Sequence, residues 1–498
     1  MNVAAAAASS VPLPDLLAGL TEDPVPALGV TGVAADSRRV RAGDLFAACS
    51  GQRQHGLAHL AEASRKGAAA VAWEPDGVVA EPEAAVPLIR VPGLGRKLGR
   101  IADRFYGQPS RAMTVIGVTG TDGKTSVTQF LAQALDQEDL RCGVVGTLGW
   151  GLADALQPAS HTTPDAVGLQ AALHELRRRR ARWVAMEVSS HALDQGRVAG
   201  VAFDIAVLTN LSRDHLDYHG DEASYARAKQ RLFQVPGLEY AVVNLDDAFG
   251  RQLAREARDH AVLGYGLSPR PDAEAPAVWG EHLRFQERGL RLQVQTPWGR
   301  GELAAGVLGR FNAANLLAVL GVLLALGVGL EDALERLRHV RTIPGRMEAF
   351  GGGASPLVVV DYAHTAAALA HALQAVRHHC GGRLWCVFGC GGERDPGKRP
   401  LMGAAAEHYA DRLIITDDNP RGEAPEAVVR AILDGLQRPE RAEVCHDRGE
   451  AIARAVARAQ AGDAVLVAGK GHEQVQWIGD EGRAYSDREV VRDLVGTG

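Results

Sequence analysis

The segment Gly117-Val118-Thr119-Gly120-Thr121-Asp122-Gly123-Lys124-Thr125-Ser126 follows a short apolar run at residues 114–116 and opens a stretch of helical character. A glycine-rich turn between a strand and a helix lets backbone N–H groups close around phosphate oxygens, and the helix N-terminus adds positive potential. Here Gly120, Thr121, Asp122, Gly123 and Ser126 would form the cradle, the Lys124 side chain can reach terminal phosphates, and the Thr125 hydroxyl can bind magnesium. Val118 stands where the strict GxxxxGK(S/T) pattern has its first glycine, so the loop is a variant of that pattern.

Outward from this loop, β-branched runs alternate with helical stretches from residue 114 to about residue 341, the pattern of a mostly parallel sheet flanked by helices. A second alternation follows: the runs 357–360, 384–388, 412–415 and 464–467 each precede a polar turn, glycine-rich after 384–388 and 464–467, which predicts a smaller, doubly wound, Rossmann-like domain. Residues 1–111 are short apolar pieces broken by Gly and Pro and predict a small α/β unit. The expected fold is α/β in three domains, residues 1–111, 112–341 and 342–498, in keeping with roughly 150 residues per domain.

In such sheets ligands bind beyond the carboxyl ends of strands. Two polar clusters lie there: Glu187-Val188-Ser189-Ser190-His191 after the run 183–186, and Thr209-Asn210-Leu211-Ser212-Arg213-Asp214-His215 after the run 205–208. A carboxylate and an imidazole beside a triphosphate suit Mg²⁺, which makes Glu187 and His215 metal candidates, although His is a less usual ligand for so hard a cation. Asp217 and His219 read equally well as turn residues.

Composition narrows the function classes. With 46% hydrophobic and 23% charged residues the chain has ordinary globular usage, which excludes a disordered protein. The 54 Lys and Arg against 60 Asp and Glu give a net charge of −6, so nothing draws nucleic acid or anionic lipid diffusely, and any anion must be gripped locally. Cys49, Cys142, Cys380, Cys386, Cys390 and Cys445 lack CxxC spacing and are expected to be buried free thiols. The alanine-rich start has no basic segment before it and does not read as a secretory signal. The apolar run 316–330 is shorter than the roughly 18 residues of a spanning segment and predicts a buried core helix. These features point to the cytoplasm. Arg177 to Arg180 end a helical stretch and complement its dipole rather than forming a nucleic-acid patch. Gly389-Cys390-Gly391-Gly392 is not a dinucleotide fingerprint, because Arg394 stands where the third glycine is required.

Eleven motifs occur in one order: GVTGTDGKTS (117–126), EVSSH (187–191), TNLSRDHLDYHG (209–220), YARAKQRLF (225–233), NLDD (244–247), GRFNAANLLA (309–318), PGRME (344–348), DYAHT (361–365), FGCGGERDPGKRPLM (388–402), DDNPR (417–421) and AGKGHE (468–473). Together they resemble the Mur ligase family over essentially the whole chain. The resemblance implies an enzyme that uses ATP and Mg²⁺ to activate a carboxylate as an acyl phosphate and then joins it to an amine. It also implies an N-terminal uridine-nucleotide domain, a central ATP-binding domain and a C-terminal amino-acid domain. The motif set resembles the members that add meso-diaminopimelate to UDP-N-acetylmuramoyl-L-alanyl-D-glutamate in cytoplasmic peptidoglycan precursor synthesis. A lysine-adding Mur ligase and a folylpolyglutamate synthetase-like ligase are the alternatives. A noncatalytic nucleotide sensor belongs to a different class, and intact Lys124, Glu187, His215 and Lys229 argue against it. A monomer without nucleic-acid partners or membrane insertion is expected.

The resemblance also assigns residues. Asn312 and Asn315 would reach the adenine region, and Arg346 and Asp361 from the third domain the phosphate and ribose side, so that domain closure completes the site. Lys229 aligns with the lysine that the family carbamylates to make a carboxylate-like magnesium ligand, beside Thr125, Glu187 and His215. Ser37 and the nearby segment 51–56 resemble the uridine-diphosphate segment, and Thr162, Thr163, Ser189, Gln195 and Arg197 match positions that contact the muramoyl dipeptide. Diaminopimelate carries an ammonium and a carboxylate at its far centre. Arg394 and Arg421 offer planar forks for carboxylates, Asp418 and Glu473 can pair an ammonium, Asn419 can serve either group, and Pro420 and Gly469 complete the two segments. His215 or His364 could assist proton movement, but no feature singles out a general base. The chain departs from the family pattern at His161, often asparagine, and at Ala366-Ala367, where Pro and an acidic residue are usual.

Overall fold

In the computed structural model, which describes residues 10–51, 54–78, 82–159, 161–269 and 275–496, the run before the phosphate loop is the strand Thr114–Thr119, buried from its second residue onward. Near-continuous burial is what a parallel strand covered on both faces requires. This strand lies between Ala181–Glu187 and Ile205–Leu208 and is parallel to both, with Glu187 opposite Val118 and Leu208 opposite Thr119. The register has a chemical consequence, because the residues that follow both neighbours emerge beside the phosphate loop. Arg141–Gly146 extends the parallel sheet on one side, and Tyr240–Asn244 and Ala261–Gly266 extend it on the other. An antiparallel edge of Gly149–Leu152 and Ala155–Gln157 follows Arg141–Gly146.

The chain divides into two compact units, residues 1–265 with 272–277, and residues 266–271 with 278–498. Besides the sheet above, the first unit holds a four-stranded parallel sheet in the order Gly32–Ala34, Asp44–Ala48, Ala70–Trp73, Leu88–Arg90. Its core includes Leu13, Leu16, Leu45, Ile89 and Ile101, with the helix Leu94–Phe105 packed on it. Gln52 and Arg53, within the segment 51–56, lie outside the described residues.

In the second unit Gly289–Thr296 and Gly299–Ala305 form an antiparallel hairpin, and the helices Arg310–Ala325 and Leu330–Arg338 follow. The apolar run 316–330 is therefore not one helix. Gly327 takes φ +80°, a left-handed conformation that ends the first helix, and the next begins at Leu330. The buried character of the first helix is as expected. A six-stranded sheet then runs in the order Glu348–Gly351, Leu357–Asp361, Ala464–Ala468, Leu384–Phe388, Arg412–Ile415, Ala442–Val444, parallel except for its first pair. The helix after DYAHT starts at Ala366, with Thr365 capping the Ala368 N–H at 3.3 Å, so the missing Pro does not prevent a defined N-terminus.

Two features stiffen this sheet's carboxyl edge. Arg448 and Asp487 form a bidentate ion pair through Nε and Nη2 at 2.7 and 2.8 Å with neither side chain exposed, and the other N–H of Nη2 reaches the Ala468 carbonyl at 2.9 Å. Gly345 (φ +67°) and Gly471 (φ +52°) meet backbone to backbone: a Cβ on Gly345 would collide with Gly471 and His472, and one on Gly471 would lie 2.7 Å from the Gly345 carbonyl oxygen. All six cysteines are free thiols, but Cys49 and Cys380 are only half-buried, unlike the other four. Among the described residues no helix is long and apolar enough to cross a membrane.

Candidate active site

Gly120 (φ +149°) and Gly123 (φ +83°) give the phosphate loop its shape, and the helix Lys124–Leu135 begins directly after with no side-chain cap on its first N–H groups. A Cβ at Gly120 would collide with the Thr209 hydroxyl, which shows how tightly the next strand end presses on the loop. Thr209 Oγ1 donates to the Asp122 carbonyl at 2.6 Å, and Asn210 clamps Asp122 through Oδ1 and Nδ2 at 3.0 and 3.1 Å. Thr121 Oγ1 lies 3.2 Å from the Tyr225 hydroxyl. Lys124 folds back over the loop, donating to the carbonyls of Gly120 and Thr121 at 2.8 and 2.7 Å. The segment after Ile205–Leu208 thus backs the glycine-rich loop through Thr209 and Asn210.

Glu187 ends the neighbouring strand and is 1% exposed. Its carboxylate accepts from Thr125 Oγ1 at 2.9 Å and from the Thr147 N–H at 2.8 Å. Burial pushes its pKa up, against the opposing pull of the Thr147 N–H and the Lys124 charge. Lys229 is also buried, donates to the Gly120 carbonyl at 2.8 Å and sits 4.4 Å from the centre of the Tyr225 ring. Burial, with the nearby Lys124 charge as the second cause, lowers the Lys229 pKa to about 6. The amine is therefore neutral and nucleophilic at physiological pH.

That shift has a measurable sign. In the unfolded chain Lys229 binds its proton near 10.5, in the folded chain only below about 6, so unfolding takes up a proton across this window and stability falls as pH drops through it. In bicarbonate-free buffer the Lys229→Met variant is expected to melt above the parent by a margin that widens from about pH 10 down to about pH 6. Calorimetry across that range checks it, and a margin independent of pH would show the amine to be charged in the fold.

Thr163, Ser189, Gln195 and Arg197 form one network. Thr163 Oγ1 donates to the Glu187 carbonyl at 2.8 Å and accepts from the Ser189 N–H at 3.1 Å, and Arg197 donates to Gln195 Oε1 at 2.8 Å and to the Thr163 carbonyl at 3.2 Å. Thr162 joins through Thr147, with the two hydroxyls 3.1 Å apart. His215 has a left-handed backbone (φ 52°) and packs 4.9 Å from the His191 ring, with Asp214 Oδ2 at 3.4 Å. Among the described residues no group of three or more His, Cys, Asp or Glu could hold a metal. Ser37 stands apart in the N-terminal sheet region, buried, its hydroxyl donating to Glu62 at 2.7 Å.

In the second unit Asn312 is turned inward, donating to the Leu308 carbonyl at 2.8 Å and accepting from Asn315 at 3.0 Å. Arg346 lies over the Tyr362 ring at 5.3 Å and its buried Nε has no hydrogen-bond partner. Asp361 accepts from the N–H groups of Met347 at 2.8 Å and Ala363 at 2.9 Å. At the adjoining strand ends, Gly389 and Gly392 lie so close to the backbone at Thr416 and Pro420 that a Cβ would collide there, and the Gly392 N–H donates to the Asn419 carbonyl at 2.9 Å. Arg421 (φ 52°) donates to the Gly392 carbonyl at 3.0 Å, and its own N–H bonds the Trp477 carbonyl at 3.1 Å. Gly469 makes room for Asp418, whose carboxylate would be 2.7 Å from a Cβ there. Asn419 donates to Glu473 at 3.0 Å, while Arg394 is exposed. The sequence reading gave no role to Thr147, Thr209, Asn210, Tyr225 or Lys470. Position at a strand's carboxyl end, which had already placed Thr209 and Asn210 in a polar cluster, could have singled out Thr147 as well.

Three family models match in succession: "Mur ligase family, catalytic domain" over residues 29–106, "Mur ligase middle domain" over 118–323, and "Mur ligase, glutamate ligase domain" over 345–471. A protein of Alkalilimnicola ehrlichii named UDP-N-acetylmuramoyl-L-alanyl-D-glutamate--2,6-diaminopimelate ligase is 57% identical over 477 residues, covering 94% of this chain and 95% of that protein. One of the same name from Pseudomonas aeruginosa is 53% identical, covering 91% and 92%. A solved structure of a ligase of that name superposes with a TM-score of 0.77 at 35% identity, covering 98% of this chain and 99% of that chain. Folylpolyglutamate synthase of Mycobacterium tuberculosis, solved with ADP and AMPPCP, shares the fold at a TM-score of 0.58 and 20% identity, covering 75% of this chain and 92% of that chain. With the α/β architecture, the phosphate loop and all three consecutive segments in place, the chain belongs to the Mur ligase family.

Proposed function

We propose that this chain is an ATP-dependent amide ligase that joins meso-diaminopimelate to UDP-N-acetylmuramoyl-L-alanyl-D-glutamate, through an acyl phosphate, in cytoplasmic peptidoglycan precursor synthesis. Residues 1–111 would hold the uridine nucleotide, 112–341 ATP, and 342–498 the amino acid, in a protein acting as a monomer. One observation carries the choice of amino acid: Asp418, Asn419, Arg421 and Glu473 occupy adjoining loops at the carboxyl edge of one sheet, so acidic groups and a guanidinium can meet an ammonium and a carboxylate on one carbon.

Nucleotide contacts are assigned to Gly120, Thr121, Asp122, Gly123, Lys124, Thr125 and Ser126 in the first unit and to Asn315, Arg346 and Asp361 in the second, with Asn312 orienting Asn315. Lys124 leaves the loop carbonyls to meet phosphate oxygens as the γ-phosphoryl passes to the D-glutamyl γ-carboxylate. The neutral amine of diaminopimelate then attacks the acyl carbon, the C–N bond forms, the acyl C–O bond breaks, and inorganic phosphate leaves with the proton that the nitrogen loses. Thr125 and Glu187 fit Mg²⁺, because both offer hard oxygen atoms and the buried carboxylate lacks a full counter-charge. When bound, the ion neutralises phosphate charge. The neutral amine of Lys229 is suited to take up CO₂ as a carbamate, which would add a second anionic oxygen ligand. Thr162, Thr163, Ser189, Gln195 and Arg197 are assigned to the dipeptide and Ser37 to the uridine end.

Phosphate release that requires both the muramoyl nucleotide and the amino acid, with the product mass confirmed, tests the activity. Lysine lacks the far carboxylate and would leave Arg421 desolvated without its partner, so kcat/KM with lysine is expected to be about 100-fold or more below that with diaminopimelate. Equal use of the two would overturn the substrate assignment.

A further inference from the structure

Lys470 has no exposed side-chain surface and points its Nζ at three acceptors, Asn419 Oδ1, Glu473 Oε2 and the Val475 carbonyl, each at 2.9 Å. A lysine has three N–H donors, so this set leaves none for a ligand. Asn419 Oδ1 accepts a second bond from the Trp477 N–H at 2.9 Å, which fills both of its lone pairs. On the other side of the amide, Nδ2 donates to Glu473 Oε2 at 3.0 Å. Turning the amide over would set its NH₂ against two donors and its oxygen against a carboxylate, so only one orientation is compatible with its surroundings.

We infer that Lys470 is a positioning residue for amino-acid selection: it fixes the Asn419 amide so that the group has one N–H left and no acceptor, which reserves Asn419 for a carboxylate of the substrate. The same contact occupies Glu473 Oε2 and leaves Oε1, on a side chain 32% exposed, for an ammonium. An asparagine, which by composition alone could serve either charge, is thereby made a donor. Lysine in place of diaminopimelate would leave that N–H without an acceptor in a buried setting. This assignment rests on diaminopimelate being the amino-acid substrate.

The test is steady-state kinetics of the full-length protein with Mg²⁺, the muramoyl dipeptide nucleotide and either amino acid. Lys470→Met is expected to raise KM for diaminopimelate about tenfold or more and to narrow the preference over lysine, with KM for ATP unchanged and kcat within about threefold. Because Lys470 acts through Asn419, adding Lys470→Met to Asn419→Ala is expected to change KM far less than it does alone. Additive effects, or a native KM and preference in Lys470→Met, would overturn the proposal. Should Lys470→Met fail to fold, Asn419→Asp decides: it keeps the oxygen facing Lys470 but removes the donor, and a native KM and preference there would equally overturn it. Parent protein that fails to use diaminopimelate would instead sink the substrate assignment on which this inference rests.

Discussion

Lys124→Ala is expected to lower kcat for ligation by about 1,000-fold or more while leaving the fold intact. The side chain opens the helix that follows the loop, and its Nζ already lies over the carbonyls of Gly120 and Thr121, within reach of any phosphate seated on the loop. Its charge is needed most as negative charge shifts on the transferred group. Alanine keeps helix propensity at that position and removes the charge together with the two hydrogen bonds to the loop carbonyls. Product formation at saturating substrates measures the loss, and an unchanged thermal midpoint separates it from unfolding. Coupling at an undiminished rate would show that the phosphates are held elsewhere.

Lys229→Ala is expected to cost about 100-fold or more in kcat/KM, and the parent enzyme is expected to lose activity in bicarbonate-free buffer and regain it when bicarbonate is restored. A buried amine with a pKa near 6 beside a phosphate loop is costly to keep and has no ion-pair partner in its contacts with Gly120 and Tyr225. Conversion to a carbamate turns it into an anion. Intact-protein mass with and without bicarbonate checks the modification, and Lys229→Ala should show no bicarbonate response. A parent enzyme indifferent to bicarbonate would make the lysine a structural prop of the loop.

Much of this was legible in the residues. The runs 357–360, 384–388, 412–415 and 464–467 are strands in the fold, because each is a short apolar stretch followed by a polar turn and both sheet faces are covered. The phosphate loop was legible because Gly-Lys-Thr at a strand-to-helix turn has few other uses. The long apolar run 316–330 misled on helix length, since hydrophobicity continued across Gly327 while the backbone did not. Side-chain partnerships were the least legible. Nothing in the order of residues places Thr147 on Glu187 or Lys470 on Asn419, because both pairings depend on the spatial order of the strands in their sheets.

The glycine contact between PGRME and AGKGHE has a mechanical outcome. With no room for even a methyl group between Gly345 and Gly471, the turn bearing Arg346 and the turn bearing Lys470 and Glu473 are seated flush, and a side chain at either glycine would prise them apart.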